Sequence, residues 1–314
     1  QRFREDVAAG LAEALDMPER EQIARNRRMQ RRLKRYNVER WAQDFMERLM
    51  QAGKTQRELG SRRLTKPIKE QMVSDYRRGA RRLLLLDYDG TLVPFADKPE
   101  GARPDAQLLK LLSDLAGQPG NQVVIISGRD KATLDEWLGE VSLPMIAEHG
   151  VWVRDAGQEW TTLEPLNNEW KEEMRPILEL YVDRTPGSLL EEKEYSLVWH
   201  YRRSNPELAT VRVNELRDTL LNLTGNLNLS VLEGNKVLEV KNSGINKGRA
   251  ALRWITGEQW DFILAIGDDR TDEDIFAILP ENAYSVKVGF YPSRARFNVG
   301  THEDVRELLK SLAT

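Results

Sequence analysis

The sequence contains no cysteine and only three histidines among its 314 residues. The lack of cysteine excludes disulfides, thiolate catalysis and cysteine-ligated zinc, and it fits the cytoplasmic location that we expect. His149, His200 and His302 are too widely spaced to indicate a histidine-rich metal site. No apolar run is long enough to span a bilayer, and no secretory signal opens the chain, so we expect no membrane association. The length indicates two or three units.

The two ends of the chain differ in charge. Residues 1–82 hold 22 Lys and Arg against 12 Asp and Glu, a net +10, whereas the remainder carries a net −13. A basic segment can indicate nucleic-acid binding. Here the arginines alternate with acidic residues, and the segment lacks the aromatic and glycine pattern of RNA-binding modules. We therefore expect no nucleic-acid partner, and interpret the segment as a solvated helical face or one that docks on the acidic remainder.

The basic segment is predicted to be helical over residues 1–52. A helix that begins after Asn37, a suitable N-cap, would place four apolar side chains on one face, namely Val38, Trp41, Phe45 and Leu49. Such a face needs a partner to cover it. Residues 53–80 are polar and contain several glycines, which predicts a linker with one short helix at about 67–78.

Residues 83–91, LLLLDYDGT, organise the rest of the chain. Four consecutive leucines predict a strand buried on both faces, as in the middle of a parallel sheet. Asp87 and Asp89 follow at its carboxyl end, where open α/β sheets bind ligands, and alternation points them the same way. Two such charges favour a nearby cation, and Mg²⁺ suits carboxylate oxygens shared with phosphate and water. A turn with solvated charges is the alternative.

A second acidic cluster favours the metal site over the solvated turn. Residues 262–266, FILAI, predict another buried strand, and Asp268 and Asp269 follow it directly. Thr271 can cap the next helix, with acidic residues 272–274 complementing its positive end. That capping role does not account for Asp268 and Asp269.

The pattern of strands and helices predicts an α/β fold that is interrupted once. Strand–helix units at 81–152 and 244–314 indicate a Rossmann-like parallel sheet. Between them, at 153–243, short alternating strands frame two helices, which predicts an inserted α+β domain with a mixed sheet. The strands assigned to this insertion begin with Val151–Arg154 and Glu159–Leu163.

Four elements occur in a fixed order: Asp-x-Asp-Gly-Thr at 87–91, Ser127 after a strand, Lys247 at the start of a helix, and Gly-Asp-Asp at 267–269. Each is common alone, and Lys247 by itself would be taken for an ordinary exposed lysine. The ordered set resembles the haloacid dehalogenase superfamily of aspartate phosphatases. The resemblance implies a Rossmann-like core and Mg²⁺-dependent phosphoryl transfer to an aspartate.

This resemblance also implies residue roles. Asp87 would attack phosphorus and form an aspartyl-phosphate, and Asp89 would protonate the leaving oxygen and then take a proton from water. Mg²⁺ would be held by Asp87, the backbone carbonyl of Asp89, and Asp268. Ser127 and Lys247 would hold the phosphoryl group. Three residues would support the metal site from behind its ligands: Asp269, Asp272 and Thr91.

Further motifs over residues 83–314 are similar to those of trehalose-6-phosphate phosphatases, among them SGR, AEHG, EEKEYSLVWHYR, LEVK and GDDRTDED. The implied reaction is hydrolysis of trehalose 6-phosphate to trehalose and phosphate. The implied sugar-gripping residues are Glu191, Lys193 and Glu239. Arg129, Glu148 and His149 would line the cleft. His200 is equally compatible with a place in the sheet and with a ligand role.

Residues 31–45, RRLKRYNVERWAQDF, are similar to the last helices of trehalose-6-phosphate synthases. Residues 1–52 are thus expected to be the remnant of an upstream synthase domain of the same polypeptide. Synthase activity is not expected, because its substrate-binding residues would precede Gln1.

Two alternatives to this phosphatase function remain open. One is a phosphatase for another sugar phosphate, such as sucrose phosphate. The other is a catalytically silent regulatory module, against which the intact Asp87 and Asp89 argue.

Overall fold

The computed structural model describes residues 7, 10, 12–35, 37–96, 99–225, 227–234 and 236–314. The chain divides into two compact units, Gln1–Ser61 and Arg62–Thr314. Among the described residues, no helix is both long enough and apolar enough to cross a membrane.

The first unit contains helices α1 (Glu19–Arg35) and α2 (Val38–Ser61). Asn37 caps α2, because its side-chain oxygen accepts a hydrogen bond from the Arg40 backbone N at 2.9 Å. The four predicted apolar residues of α2 are more than half exposed, and Trp41 stacks on Phe45 with ring centroids 5.5 Å apart. Residues 1–6, 8, 9, 11 and 36 of the predicted helical segment lie outside the described residues.

The segment predicted as a linker, residues 53–80, is largely helical. Helix α2 continues to Ser61, and the short helix predicted at about 67–78 is α3 (Lys66–Arg78). Met72 and Tyr76 of α3 are fully buried in the core of the second unit, so α3 is part of that unit and not of a linker. The polar composition of the segment did not predict this packing. Only two large side chains of α3 are buried, and these suffice to attach a short helix to the core.

The second unit is built on an eight-stranded sheet in the order β12-β11-β10-β1-β2-β3-β4-β5. Its strands are β1 (Arg82–Asp87), β2 (Asn121–Ile126), β3 (Met145–Ala147), β4 (Trp152–Arg154), β5 (Thr161–Thr162), β10 (Phe262–Gly267), β11 (Tyr284–Val288) and β12 (Phe297–Val299). Its helices are α3, α4 (Ala106–Ala116), α5 (Lys131–Leu138), α8 (Lys247–Ile255), α9 (Glu273–Phe276) and α10 (His302–Ala313).

Strand β1 lies in the middle of the sheet, parallel to both β10 and β2. All four of its leucines are fully buried. Leu84 and Leu86 belong to the core on one face, while Leu83 and Leu85 belong to the core on the other. The alternation of side chains along a strand explains this division, and it confirms the prediction of a strand covered on both faces.

A separate four-stranded antiparallel sheet, in the order β6-β7-β9-β8, forms the insertion. Its elements are α6 (Trp170–Asp183), β6 (Leu189–Glu192), β7 (Ser196–His200), α7 (Pro206–Thr224), β8 (Leu229–Gly234) and β9 (Val237–Asn242). The two helices bury their apolar side chains against this sheet in a core of its own. The sheet is therefore antiparallel throughout, whereas the sequence pattern had predicted a mixed sheet.

The predicted start of the insertion at residue 153 differs from the structure. Strands β4 and β5 extend the main sheet, each antiparallel to its neighbour. The chain reverses at Glu148–Gly150, where Glu148 and His149 both have positive φ. This reversal returns β4 to the free edge of β3, so the alternating pattern that suggested a second domain marks the edge of the first sheet.

Burial of the β1 leucines predicts a large stability difference between two leucine positions. Leu85→Ala removes a fully buried side chain between closely packed layers, so we expect the free energy of unfolding to fall by about 2–5 kcal/mol. Leu189→Ala, at a position that is 48% exposed, serves as the control and should cost less than about 1 kcal/mol. Urea unfolding measures both. Equal losses would contradict the central placement of β1.

Candidate active site

Lys247 lies at the centre of a buried charge cluster where β1 ends and α8 begins. Asn246 caps α8 by accepting from the Arg249 backbone N at 2.7 Å, which fixes Lys247 in the first turn. The Lys247 Nζ atom lies 2.7 Å from Asp87 Oδ1 and 2.8 Å from Asp272 Oδ1. Lys247 is only 2% exposed, unlike an ordinary helix-start lysine.

The protonation of this cluster depends on burial and on mutual charge. Burial opposes a charged Lys247, but the carboxylates of Asp272 and Asp87 raise its pKa well above the ordinary value. Burial raises the pKa of Asp87 to about 7 and that of Asp272 to about 8, with Lys247 acting in the opposite direction. More negative charge converges here than one lysine compensates, which favours an additional cation.

Three carboxylates could hold that cation. One oxygen from each of Asp87, Asp268 and Asp272 lies within 4.8 Å of the others. Asp272 already uses Oδ1 for Lys247, and Oδ2 accepts from the backbone N of Asp268 at 2.9 Å and of Asp269 at 3.0 Å. Asp87 Oδ2 is buried without a hydrogen-bond partner among the described residues. An all-oxygen donor set with an unpartnered carboxylate oxygen fits a hard divalent cation.

Asp269 supports the loop that follows β10. Its Oδ1 accepts from the Thr271 backbone N at 2.8 Å and from the Thr271 hydroxyl at 2.7 Å. Burial acts against its charge, but Lys247 and the Thr271 hydrogen bond hold the pKa of Asp269 well below its usual range. Asp269 is therefore a structural partner of the loop, and its predicted support of a metal stays a prediction.

The side chain of Asp89 is directed to Arg129 and not to the carboxylate cluster. Arg129 donates from Nε to Asp89 Oδ2 at 2.8 Å and from Nη2 to Asp89 Oδ1 at 2.6 Å. The guanidinium also lies 4.4 Å from the centre of the Trp137 ring. Arg129 orients Asp89 through this bidentate pair, which fixes the carboxylate plane, and its predicted place along the cleft stays a prediction.

Gly90, directly after Asp89, has a φ of +79°, which suits glycine. A Cβ atom there would collide with the Asp268 carboxylate, so the turn brings the two acidic loops into contact. Thr91 is fully buried behind this turn.

Ser127, on the loop that follows β2, is also fully buried. Its Oγ accepts a hydrogen bond from the Arg129 backbone N at 3.1 Å.

The reversal at Glu148 and His149 is strained and sits beside the Ser127 loop. Positive φ values of 49° and 55° are uncommon for such residues and are concentrated at functional sites. The Glu148 N donates to Arg129 O at 2.9 Å and the His149 N to Ser127 O at 3.0 Å. Burial raises the pKa of Glu148 to about 7 and lowers that of His149 to about 3, because it disfavours the charged form of each group.

The insertion presents the predicted sugar-gripping residues on one face. Glu191 and Glu239 are both paired with Val198 of the intervening strand, and directly opposed residues share a face. Glu191 is held by His200, whose Nε2 lies 2.6 Å from Glu191 Oε2. Lys193 reaches across to the main sheet, where its Nζ donates to Gly128 O at 2.9 Å.

Sequence reasoning did not single out several partners of these residues. Trp137 and Lys171 were absent from the predicted site, and His200 was left undecided between sheet and ligand. A tryptophan near the end of a short helix, or a lysine on an amphipathic helix, carries no distinguishing pattern. Their roles depend on which other element they contact.

The fold is shared with known phosphatases. A haloacid dehalogenase-like hydrolase from B. subtilis aligns with a TM-score of 0.52 at 13% identity, over 73% of this chain and 98% of that one, which shows the fold alone. The mostly parallel sheet with its inserted domain thus has the fold of haloacid dehalogenase-like hydrolases.

Closer similarity narrows the class. The C-terminal domain of C. albicans trehalose-6-phosphate phosphatase aligns with a TM-score of 0.74 at 32% identity, covering 78% of this chain and 96% of that one. A bifunctional trehalose-6-phosphate synthase/phosphatase of Thermoproteus tenax is 41% identical over 98% of this chain. The trehalose-phosphatase family model matches residues 85–306. This chain belongs to the trehalose-phosphatase family. It spans 42% of the length of the T. tenax relative.

The buried lysine predicts a pronounced cost for its removal. Lys247→Met leaves two buried carboxylates without their cation, so we expect the free energy of unfolding to fall by about 3–5 kcal/mol at neutral pH in metal-free buffer. Arg249→Met, two residues later on the same helix, breaks the half-exposed pair with Glu164 and one hydrogen bond to Gly244 O, and should cost about 1 kcal/mol. Chemical denaturation measures both. A Lys247 variant as stable as the Arg249 variant would contradict the cluster.

Proposed function

We propose that this chain is a trehalose-6-phosphate phosphatase that hydrolyses trehalose 6-phosphate to trehalose and inorganic phosphate. One observation carries the proposal. The Asp87–Lys247–Asp272 cluster and the polar face of the insertion are joined, through the Lys193–Gly128 contact, in a chain that matches the trehalose-phosphatase model. The cluster suits phosphoryl transfer, and the insertion suits recognition of a sugar.

The cation that we propose for the carboxylate cluster is Mg²⁺. Asp87, the backbone carbonyl of Asp89, and Asp268 would hold it, while Asp272 keeps its hydrogen bonds to Lys247 and to the loop. The chemistry that Mg²⁺ supplies when bound is neutralisation of phosphate charge beside an anionic nucleophile. Its oxygen-only ligands agree with the donor set of the cluster.

In the proposed mechanism, Asp87 attacks phosphorus and forms an aspartyl-phosphate while the bond to the sugar oxygen breaks. Asp89 gives its proton to that oxygen, then accepts one from the water that attacks the intermediate, so each turnover restores both carboxyls. Arg129 holds the Asp89 carboxylate in place between these steps. Ser127 and Lys247 bind the phosphoryl oxygens, and Lys247 neutralises the carboxylate that Asp87 regains.

The insertion is proposed to act as a cap, comprising α6, α7 and strands β6–β9. Glu191, Lys193 and Glu239 would grip the sugar hydroxyls, because carboxylates accept and ammonium groups donate hydrogen bonds to them. His200 keeps Glu191 ionised and oriented, since their hydrogen bond lowers the pKa of Glu191. Glu148 and His149 would form the floor of the cleft beside the phosphate-binding loop.

We also propose an upstream synthase domain as a partner within the same polypeptide. The T. tenax relative is named as a bifunctional protein, and nearly all of this chain matches part of it. The apolar face of α2 is exposed at Trp41 and Phe45, and the proposed synthase domain would cover it. A cytoplasmic location remains a prediction of the sequence.

The first prediction of this proposal is Mg²⁺-dependent phosphate release from trehalose 6-phosphate. We expect release with Mg²⁺, none with EDTA, and a loss of about 10³-fold or more in kcat for Asp87→Asn, because the amide is a far weaker nucleophile. Asp218→Asn is the matched control and should retain full activity, because Asp218 is an exposed aspartate on α7.

Sucrose 6-phosphate and glucose 6-phosphate are run in parallel. Release from these esters at similar rates would leave the aspartate mechanism standing but would contradict the assigned sugar specificity. A folded protein that binds trehalose 6-phosphate but hydrolyses none of the esters would instead be a regulatory module.

The second prediction separates sugar recognition from phosphoryl transfer. Glu239→Gln should lower kcat/KM for trehalose 6-phosphate by about 10- to 100-fold, because it weakens charged hydrogen bonds to the sugar. Hydrolysis of p-nitrophenyl phosphate, which lacks a sugar, should change less than twofold. Glu233→Gln on neighbouring β8, where the carboxylate is exposed, is the control. Parallel losses on both substrates would place Glu239 in the phosphoryl site and not in the cap.

A further inference from the structure

The turn between β6 and β7, residues 193–195, is where the insertion contacts the main sheet beside the phosphate-binding loop. Lys193 Nζ donates to Gly128 O at 2.9 Å. Glu194 pairs with Lys131 at 3.1 Å, and Tyr195 packs on Trp152 with ring centroids 5.9 Å apart. The position of Lys193 above the proposed site therefore depends on the conformation of this turn.

Lys171 fixes that conformation from behind. It is the second residue of α6 and is only 6% exposed. Its Nζ donates to Lys193 O at 2.6 Å and to Glu194 O at 3.3 Å, and it lies 2.7 Å from Glu192 Oε1. An ammonium group has three donors, and these three contacts use all of them on three consecutive residues, the last of β6 and the first two of the turn.

A second cation strengthens the same attachment. Arg175, one helical turn after Lys171, donates to Glu192 Oε2 at 3.0 Å and to Oε1 at 2.9 Å. The hydrogen bonds from Arg175 and Lys171 lower the pKa of Glu192 to about 2. Helix α6 thereby binds two parts of this segment: the carboxylate of Glu192, before the turn, and the backbone carbonyls of the turn itself.

We propose that Lys171 is a positioning residue for sugar recognition, acting through Lys193. This inference rests on the proposed function, because Lys193 is the group that would bind the sugar. Burying a lysine is unfavourable unless its charge is compensated. Here the Glu192 carboxylate compensates the charge, and the remaining donors are taken by two carbonyls whose peptide planes set the direction of the Lys193 side chain. The Lys171 ammonium itself contacts the backbone of the turn.

A pair of substrates tests this role. Lys171→Met should raise KM for trehalose 6-phosphate about 10-fold with kcat little changed, and leave p-nitrophenyl phosphate hydrolysis within twofold of the parent protein. Lys171→Arg, which keeps donors for the carbonyls, should recover part of the loss. Lys110→Met, the same change at a largely exposed lysine, is the control. An unchanged KM in a folded Lys171→Met variant would overturn the proposal.

A double-mutant cycle tests the route of the effect. If Lys171 acts through Lys193, adding Lys171→Met to Lys193→Met should raise KM no further. Additive effects of the two substitutions would overturn the assignment, because they would mean that Lys171 affects binding by another route. A merely stabilising role would lower the melting temperature without this non-additivity.

Amide hydrogen exchange keeps the proposal testable without any sugar substrate. The Lys193 N donates to Ser196 O at 3.0 Å across the turn. We expect exchange over residues 192–196 to accelerate about 10-fold or more in Lys171→Met or Lys171→Gln, with β9 unchanged. Unaltered exchange would overturn the positioning role. Inactivity of the parent protein on trehalose 6-phosphate with accelerated exchange in the variant would instead refute the proposed substrate and leave the attachment of the turn established.

Discussion

The contact on which the site depends is the buried ammonium of Lys247 between Asp87 and Asp272. Three charged groups in an apolar environment would be costly if any one stood alone. Here Lys247 brings the end of β1, the start of α8 and the loop after β10 to a single point. Because Asp272 also accepts the backbone N–H groups of that loop, the same contact fixes Asp268 near Asp87.

The residues around this cluster are arranged so that each reactive group has a separate support. Arg129 holds Asp89 while stacking on Trp137, and it is itself placed by the turn that begins at Ser127. The strained backbone at His149 hydrogen-bonds back to that turn. The strain there is compatible with a stable protein because two parallel strands and a helix determine the positions of its neighbours.

The insertion lies outside the main sheet and has a sheet of its own. It has its own core, and one of its contacts with the main sheet is the short turn that carries Lys193. Helix α6 stiffens that turn through Lys171. A division of this kind would allow the proposed catalytic groups of the main sheet and the proposed sugar-binding groups of the insertion to be changed independently.

The sequence by itself determined the α/β class, the central buried strand and the acidic residues at its end. These depend on local features, namely periodicity, residue type and chain order, which can be read without knowing any distant contact. The order of the motifs also predicted Lys247 and Asp268, although not the 2.7 Å contact of Lys247 with Asp87.

Only the tertiary structure decided which polar groups meet. It placed β4 on the main sheet, buried α3 in the core, turned Asp89 to Arg129 and directed Lys171 to a turn of the insertion. A local pattern cannot determine these contacts, because the partners are distant along the chain and a lysine or aspartate has the same pattern whether it is solvated or buried. Packing of whole elements brings the partners together, and burial and neighbouring charges then shift the pKa of each group.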